Sequence, residues 1–336
     1  MTEYVSTTPG LFPLPDWAKS KLGDLKGHQK GDLIGGDESA AIASAYDRAR
    51  SEVVDEQRDA GVDCIVEGQL RWDDMLAHPL TVHDNVDTGG IVRYYDNNNF
   101  YRDPRVVGDL TPSGDVAAEL DATAELLDGE TPLQAVLPGP YSLSELATDE
   151  HYGDEAEFLA AIADFLASEV AAFPDHETLF LLDPSLVTSP PDDDLAPGIP
   201  EAIDTVASAT DADVVVHTYF GALEEKTYAY LLDAEFDAVG FDVVAADREQ
   251  TVYNASEYGC PSDVALGLAD GQNTLVESAE TLRERATWFT EQVPSTDFET
   301  VYFTTNTEPF YLPVTKFREK LGALSAAADL DREVTV

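Results

Sequence analysis

Short runs of continuous apolar or β-branched residues alternate with longer segments of helical periodicity along most of the chain. Runs bounded by charge on one side and by proline, glycine or a carboxylate on the other are typical of strands buried on both faces. Eight such runs follow one another: YVSTT at 4–8, DCIVEG at 63–68, PLQAVLPGP at 132–140, TLFLLDPSLV at 178–187, DVVVHTYFG at 213–221, FDAVGFDVV at 236–244, DVALGLADGQNT at 263–274 and TVYFTTNTEP at 300–309. The pattern therefore predicts eight buried parallel strands.

Amphipathic helical segments separate these strands. We expect helices at 37–60, where Gly61 supplies the stop, and at 154–173, 198–209, 222–233, 275–292 and 313–327. Alternating βα units with no second hydrophobic core indicate an α/β fold, and specifically a single (β/α)8 TIM barrel that takes in 1–336 as one domain.

The barrel is predicted to carry an insertion after its second strand. The connection at 78–104 contains VRYYDNNNFYRDP, which is rich in tyrosine, asparagine and arginine. Long connections inside compact domains are often functional, and these side chains suit a polar ligand. A β-hairpin that only covers the barrel mouth explains the same sequence equally well.

The charge balance narrows the classes of partner. The chain has 19 Lys and Arg against 66 Asp and Glu, a formal net charge of −47, while 43% of its residues are hydrophobic. That hydrophobic content argues against disorder, so the acidity is interpreted as that of a cytoplasmic protein from an extreme halophile, in which concentrated cation screens self-repulsion. Nucleic acid is a poor partner because no basic surface is available to neutralise phosphates.

Cysteine content and hydropathy give further exclusions. Cys64 lies in an apolar run and Cys260 in a polar loop, which supplies neither a disulfide framework nor a paired metal motif. No stretch approaches 18 apolar residues, and the first residues lack a basic region followed by an apolar one. A soluble, cytoplasmic protein with no membrane partner is expected.

Polar side chains collect where the predicted strands end, which is where barrel enzymes carry their active sites. The candidates are Gln69, Arg71, Asp73, Asp183, His217, Tyr219, Asp242, Asp270 and Asn306. Asp183 is interpreted either as a partner for a substrate amine or as a cap for the following loop, and His217 either as a site residue or as a hydrogen-bonded core histidine. His217 and Asp242 could give a metal two ligands, but a catalytic zinc normally takes three from the protein.

The strand-end motifs resemble those of cobalamin-independent methionine synthases, within the wider superfamily that includes uroporphyrinogen decarboxylase and corrinoid methyltransferases. The resemblance lies, in order, in TTPGLFPLPDW, EGQLRWDDM, LPGPYSL, FLLDPSL, HTYFG, GFDVV, LGLADGQN and LPVTKFREKL. Enzymes of that family have two similar barrels, with methyl-folate between them. The carboxy-terminal barrel binds homocysteine and a zinc that is held by one histidine, two cysteines and a glutamate.

Several positions depart from the zinc-bearing pattern of the family. His217 matches the histidine, but Tyr219 stands at the first cysteine, Asp242 near the glutamate and Asn306 in the region of the last cysteine. Of the residues that the family pattern places in its homocysteine pocket, the aspartate is retained as Asp183, while the expected serine and glutamate are replaced. Leu11 and Gln69 are the residues at those two positions.

Three motifs look more like the zinc-free amino-terminal barrel of the family, namely TYFG, YYDNNNFY and LGLADGQN. That barrel contributes basic contacts to the polyglutamate tail of the folate. The resemblance therefore gives a role to a cluster of lysines, which otherwise read as scattered surface charges: Lys19, Lys21, Lys26 and Lys30.

The resulting expectation is a methyltransferase subunit that acts in methyl transfer from a methyl-folate type donor to homocysteine. It would be the donor-binding half, with no tightly bound cofactor, and would work with a separately encoded zinc-bearing barrel. Asp183 and His217 would be catalytic, and the other strand-end candidates would bind substrate. The alternatives are a non-catalytic partner or scaffold barrel, and a methyltransferase that uses a corrinoid or another methyl carrier.

Overall fold

The computed structural model describes residues 2–22, 38–72, 76–93 and 100–330. Three of the predicted site residues, Lys26, Lys30 and Asp73, lie outside the described residues.

The described residues form eleven strands, of which eight make one parallel sheet. In chain order the strands are β1 (Glu3–Ser6), β2 (Ile65–Val66), β3 (Val86–Arg93), β4 (Phe100–Val106), β5 (Leu133–Pro138), β6 (Thr148–Asp149), β7 (Thr178–Leu182), β8 (Asp213–His217), β9 (Ala238–Asp242), β10 (Asp263–Ala269) and β11 (Thr300–Thr305). The eight-stranded sheet has the order β1-β11-β10-β9-β8-β7-β5-β2.

The two ends of this order meet, so the sheet curls into a ring. The backbone N–H groups of Asp63 and Cys64, just before β2, donate to the carbonyl of Ser6 in β1 at 3.0 and 3.3 Å. All eight predicted strands are present, and the predicted α/β barrel fold is confirmed.

Helices follow the strands around the ring. Among the described residues they are α1 (Asp16–Leu22), α2 (Ala40–Ala60), α3 (His78–Thr81), α4 (Asp115–Ala124), α5 (Pro140–Leu146), α6 (Glu155–Val170), α7 (Ser185–Thr188), α8 (Ile199–Ala207), α9 (Glu225–Leu231), α10 (Arg248–Glu257), α11 (Ala279–Gln292) and α12 (Val314–Asp329). Gly61 ends α2 in the left-handed conformation at φ 75°, as predicted. No helix in the described ranges is both long and apolar enough to cross a membrane.

Aromatic side chains fill the middle of the ring. Phe180 on β7 and Tyr302 on β11 meet edge to face with ring centroids 6.1 Å apart. Because three strands separate β7 from β11 in either direction around the ring, these side chains make contact through the interior. His217 lies 6.1 Å from Phe180, between centroids, so the aromatic pair forms the floor of the carboxyl-end mouth.

The insertion after β2 contains an antiparallel hairpin. β3 pairs with β4 from Val86↔Val106 to Arg93↔Phe100, and β4 also pairs with β6. Most of β3 is exposed on both faces, including Ile91 at 68%. The next helix, α4, was absent from the sequence prediction.

Candidate active site

Four of the predicted site residues come together at the carboxyl ends of neighbouring strands. His217 ends β8, Asp242 ends β9, Asp183 follows β7 and Asn306 follows β11. All four side chains are buried. The parallel register, which aligns Leu182 with His217, brings them to the same level of the barrel.

Asn306 is the centre of a closed hydrogen-bond network. Its Nδ2 lies 3.2 Å from each carboxylate oxygen of Asp242, its backbone carbonyl accepts from His217 Nε2 at 3.0 Å, and its Oδ1 accepts from the Gly271 N–H at 2.9 Å. One side chain and one carbonyl therefore hold together the ends of β8, β9, β10 and β11.

Asp242 is saturated with hydrogen bonds. Besides Asn306, it accepts the N–H groups of Phe220 at 3.2 Å, Val244 at 2.9 Å and Ala245 at 2.7 Å. Burial nevertheless raises the pKa of this carboxyl above its usual range, and these hydrogen bonds partly offset the shift. A carboxylate offers about four lone-pair positions, so little capacity is left for a ligand.

His217 is held as a neutral imidazole. A carbonyl can only accept, so Nε2 carries the proton that is donated to Asn306. Burial lowers the pKa of His217 to about 4, which leaves Nδ1 unprotonated near neutral pH. Nδ1 has no hydrogen-bond partner among the described residues, and it faces Gly240, where a Cβ would lie only 2.1 Å from it.

Asp183 fits both interpretations of its role. Its Oδ1 accepts from the N–H and hydroxyl of Ser142 at 2.8 and 2.5 Å, which caps the first turn of α5. Its Oδ2 has no partner in the described part of the chain. Burial raises the pKa of the Asp183 carboxyl to about 7, with the Ser142 hydrogen bonds acting in the opposite direction.

Gln69 is directed to the chain's own backbone. Its Oε1 accepts the N–H of Leu11 at 2.7 Å, and its own N–H is held by Glu67 Oε2 at 2.6 Å. Leu11 and Gln69 have φ of 52° and 48°, and such left-handed conformations of non-glycine residues often mark functional sites. Burial, with repulsion from Glu119 as the next cause, raises the pKa of Glu67 to about 7.

Arg71 is bound within an ion-pair cluster beside the barrel mouth. Its guanidinium pairs with both oxygens of Glu38, at 2.5 and 3.2 Å, and with Glu119 at 2.9 Å. It also lies 4.4 Å over the ring of Tyr46, while Arg50 shares Glu119 from the other side. These contacts set Arg71 apart from the Asn306 network.

Asp270, Lys19 and Lys21 lie at the rim or on the surface. Asp270 caps its own turn, accepting the N–H groups of Gln272 and Asn273. Lys19 and Lys21 are exposed on α1, and the Lys21 ammonium donates to the carbonyl of Ala41 at 3.2 Å.

Tyr219 is fully buried, and it contacts a residue that the sequence analysis missed. Glu308 lies three residues beyond β11 and is 1% exposed, and the Tyr219 hydroxyl interacts with its carboxyl. Burial raises the pKa of Glu308 to about 8, and the Tyr219 interaction partly offsets that effect. The signal available in the sequence was a carboxylate between threonine and proline directly after a buried strand.

The residues at the strand ends do not fit a zinc ion. His217 Nε2 is protonated and donates to the Asn306 carbonyl, and His217 Nδ1 faces Gly240. Asp242 is saturated with hydrogen bonds, and Tyr219 offers a phenol in place of a thiolate. Cys64 lies at the opposite end of the barrel, before β2, and Cys260 follows α10. Among the described residues, no group of three or more His, Cys, Asp or Glu side chains could hold a metal ion.

An open depression adjoins the Asn306 network. An open cavity of about 410 Å³ lies over the ends of β8 to β11, with Phe220, Asp270, Asn306 and Thr307 among its lining residues. A larger groove of about 680 Å³ runs between α2 and α12 on the outer surface, far from the strand ends. The smaller cavity is the one that fits the location of ligand sites in this fold.

Comparisons with known proteins agree with one another. The family model described as the catalytic domain of cobalamin-independent synthase matches residues 28–301. The methionine synthase of Saccharolobus solfataricus is 22% identical over 286 residues, covering 82% of this chain and 80% of the relative, and that of Sulfolobus acidocaldarius is 22% identical over 288 residues, covering 84% and 80%.

Solved structures share the fold. A B12-independent methionine synthase from Shewanella sp. W3-18-1, in complex with selenomethionine, superimposes with a TM-score of 0.79 at 18% identity, covering 98% of each chain. A methyltransferase from Methanosarcina mazei gives a TM-score of 0.61 at 11% identity, covering 98% of this chain and 94% of the other.

Proposed function

The chain belongs to the cobalamin-independent methionine synthase family, and from that premise we propose that it acts in methyl transfer to homocysteine as the donor-binding half of a two-barrel enzyme. In this proposal a separately encoded barrel supplies the zinc and the thiolate, and the strand-end face of this chain holds the methyl donor, a methyl-folate or a related compound.

The observation that carries the proposal is the Asn306 network. Methyl transfer to a thiol needs a thiolate, which zinc coordination provides by lowering the thiol pKa. Here the positions that would have to coordinate the metal are instead hydrogen-bonded to one another, through His217, Asp242 and Asn306. A chain built in this way needs its activated thiol to come from elsewhere.

A purely structural scaffold fits the barrel mouth less well. Three buried carboxyls, those of Glu67, Asp183 and Glu308, have raised pKa values, and burying such groups without full pairing is costly. A non-catalytic barrel would gain stability by replacing them with apolar residues. Their presence supports a site that binds a ligand.

The test is an assay of metal content and homocysteine methylation in molar potassium chloride. The chain alone, the zinc-bearing barrel of the same organism alone, and their mixture would each be supplied with methyl-tetrahydropteroyl-triglutamate or with methylcobalamin. We expect methionine from the folate donor in the mixture and none from this chain alone. Stoichiometric zinc together with full activity in the isolated chain would overturn the proposal, and activity with methylcobalamin only would assign a corrinoid donor.

A pair of variants separates a role in the reaction from a role in folding. Asp183→Asn keeps the shape of the side chain but replaces its carboxyl group by an amide. We expect the rate of homocysteine methylation by the mixture to fall by about tenfold or more. Asp297→Asn, at an exposed position before β11, is the matched control and is expected to leave the rate unchanged. Equal rates for both variants would remove Asp183 from the proposed chemistry.

A further inference from the structure

The insertion after β2 is a neutral segment in a strongly acidic chain. From Val86 to Val106 the sequence holds three arginines and three aspartates, whereas the whole chain has 19 basic residues against 66 acidic ones. Over an acidic surface, an approaching second copy of the chain meets charge of its own sign. The hairpin formed by β3 and β4 is free of this self-repulsion.

Two adjacent aliphatic side chains are exposed near the end of β3. Ile91 is 68% exposed and Val92 is 38% exposed. They are consecutive residues of a strand, so they lie on opposite faces of the hairpin. Covering the edge of this strand would therefore remove apolar surface from water on both faces at once.

Among the described strands, β3 is the outer one of the sheet ordered β3-β4-β6. Alternate residues of an edge strand point their backbone N–H and C=O groups away from the neighbouring strand. The Asn85 carbonyl accepts the Val107 N–H at 3.0 Å, which fixes the alternation and turns the backbone groups of Thr88 outward. Pro104 lies opposite Thr88, where the register needs no N–H directed at β3.

The free edge of β3 carries little protection against pairing. Natural edge strands are commonly protected by lysine, proline or a bulge, and the sequence of β3, VDTGGIVR, contains neither lysine nor proline. Its register against β4 shifts at Gly89 and Gly90. A Cβ added to Gly90 would meet nothing within 4 Å in the described part of the chain. The centre of the strand is therefore open to the approach of another strand.

We propose that β3 pairs with the β3 of a second copy of this chain, in the antiparallel direction and about a two-fold axis near Gly90. Each three-stranded sheet then continues across the axis as one six-stranded sheet. Asp87 lies near one end of β3 and Arg93 at the other, so the antiparallel direction brings each Arg93 to the Asp87 of the other copy. A strand with opposite charges at its two ends is complementary to itself in this direction only.

The glycines suit the centre of such a pair. Where Gly90 of one copy meets Gly90 of the other, no side chain holds the two backbones apart. The symmetry closes the assembly at two chains, because pairing uses the free edge of β3 on both copies. One strand pair buries a small area, so we expect a dimer that forms at micromolar concentration and dissociates on dilution.

The test is sedimentation equilibrium of the chain in molar potassium chloride. We expect a mass that rises with concentration from the 36.4 kDa of one chain towards twice that value. Ile91→Lys places a charge at the paired edge and is expected to raise the dissociation constant by about tenfold or more. Leu275→Lys is the matched control, because Leu275 is 70% exposed outside the hairpin, and it should leave the constant unchanged.

Exchanging the two charges tests the direction of pairing. Asp87→Arg and Arg93→Asp each bring like charges together in the dimer, and we expect either one alone to weaken association by about tenfold. The double variant restores the complementarity, so its dissociation constant should lie within about threefold of the unmodified value. An equimolar mixture of the two single variants is expected to form the mixed dimer, which also shows that both chains are folded.

Three results would overturn the proposal. One is a mass that stays at that of a single chain up to about 0.1 mM. Another is a dimer that Ile91→Lys and the single charge reversals leave equally tight, because the contact would then lie elsewhere on the chain. The third is a double variant as weakly associated as the single ones. The measurement uses this chain alone, so its outcome is independent of whether the two-barrel mixture makes methionine.

Discussion

Replacing Glu308 by glutamine is expected to flatten the dependence of stability on pH. The folded protein keeps the Glu308 proton up to a pKa of about 8, whereas the ordinary value, which applies to the unfolded chain, is 4.5. Between these values the folded state binds more protons than the unfolded state, so the contribution of this residue to stability decreases as pH rises. Glutamine has the same size and does not titrate.

The magnitude follows from the two pKa values. One proton contributes a slope of about 1.4 kcal/mol for each pH unit within the window, which amounts to about 3 kcal/mol between acidic conditions and pH 7. The free energy of unfolding of the variant minus that of the unmodified chain should therefore increase by about 2.5 kcal/mol from pH 5 to pH 7. The opposite contribution of His217, whose pKa is lowered to about 4, is common to both proteins and cancels in the difference.

Urea unfolding at a series of pH values in constant molar potassium chloride provides the measurement. A constant offset between the two curves, with no change of the difference between pH 5 and pH 8, would show that Glu308 is ionised in the folded protein. That result would refute the argument that burial dominates the pKa of this carboxyl.

Two further substitutions test the packing around the site. Gly240→Ala places a Cβ 2.1 Å from His217 Nδ1 and is expected to cost about 2–3 kcal/mol of unfolding free energy. Gly322 lies in a helix with nothing within 4 Å of an added Cβ, so Gly322→Ala should stabilise the protein by up to about 1 kcal/mol. Similar urea midpoints for the two variants would contradict the close packing of the His217 ring. Arg50→Met removes the cation between Glu67 and Glu119 and is expected to cost about 3–5 kcal/mol in urea unfolding, and a loss below about 1 kcal/mol would mean that the ion-pair cluster contributes little to stability.

Most of the strands could be predicted from the sequence because a strand buried on both faces needs a continuous apolar run. β1, with the sequence EYVS, was indicated instead by its β-prone residues and the turn-rich segment after them. The first and last residues of the helices were harder to predict. The helix predicted from 275 begins at Ala279, because Ser278 accepts the N–H of Thr281 as its cap and Leu275 is left exposed. The segment at 115–124 was overlooked, since it follows the insertion and no predicted strand stands directly before it.

Some residues of the candidate site could likewise be predicted from the sequence, and others could not. His217, Asp242 and Asn306 could be predicted because their positions at strand ends fix their location. The ion pairs of Arg71 could not, since Glu38 and Glu119 are distant in the chain and only packing brings them to it. Glu308 lies beyond its strand in a segment that reads as a loop, and only the tertiary structure buries it.

The pairing of β1 with β11 also sets an order of assembly during synthesis. Glu3 pairs with Thr300 and Ser6 with Phe303, so the first strand to emerge must wait for the last one before that edge is covered. The entropy of closing so long a loop makes this contact a late one. Asn306 comes directly after β11, and the hydrogen bonds that join it to His217 and Asp242 form only at this step. The completion of the ring and the completion of the site are therefore one event. A nascent chain that has not reached β11 has His217 and Asp242 at their strand ends but lacks the hydrogen bonds that Asn306 makes to them.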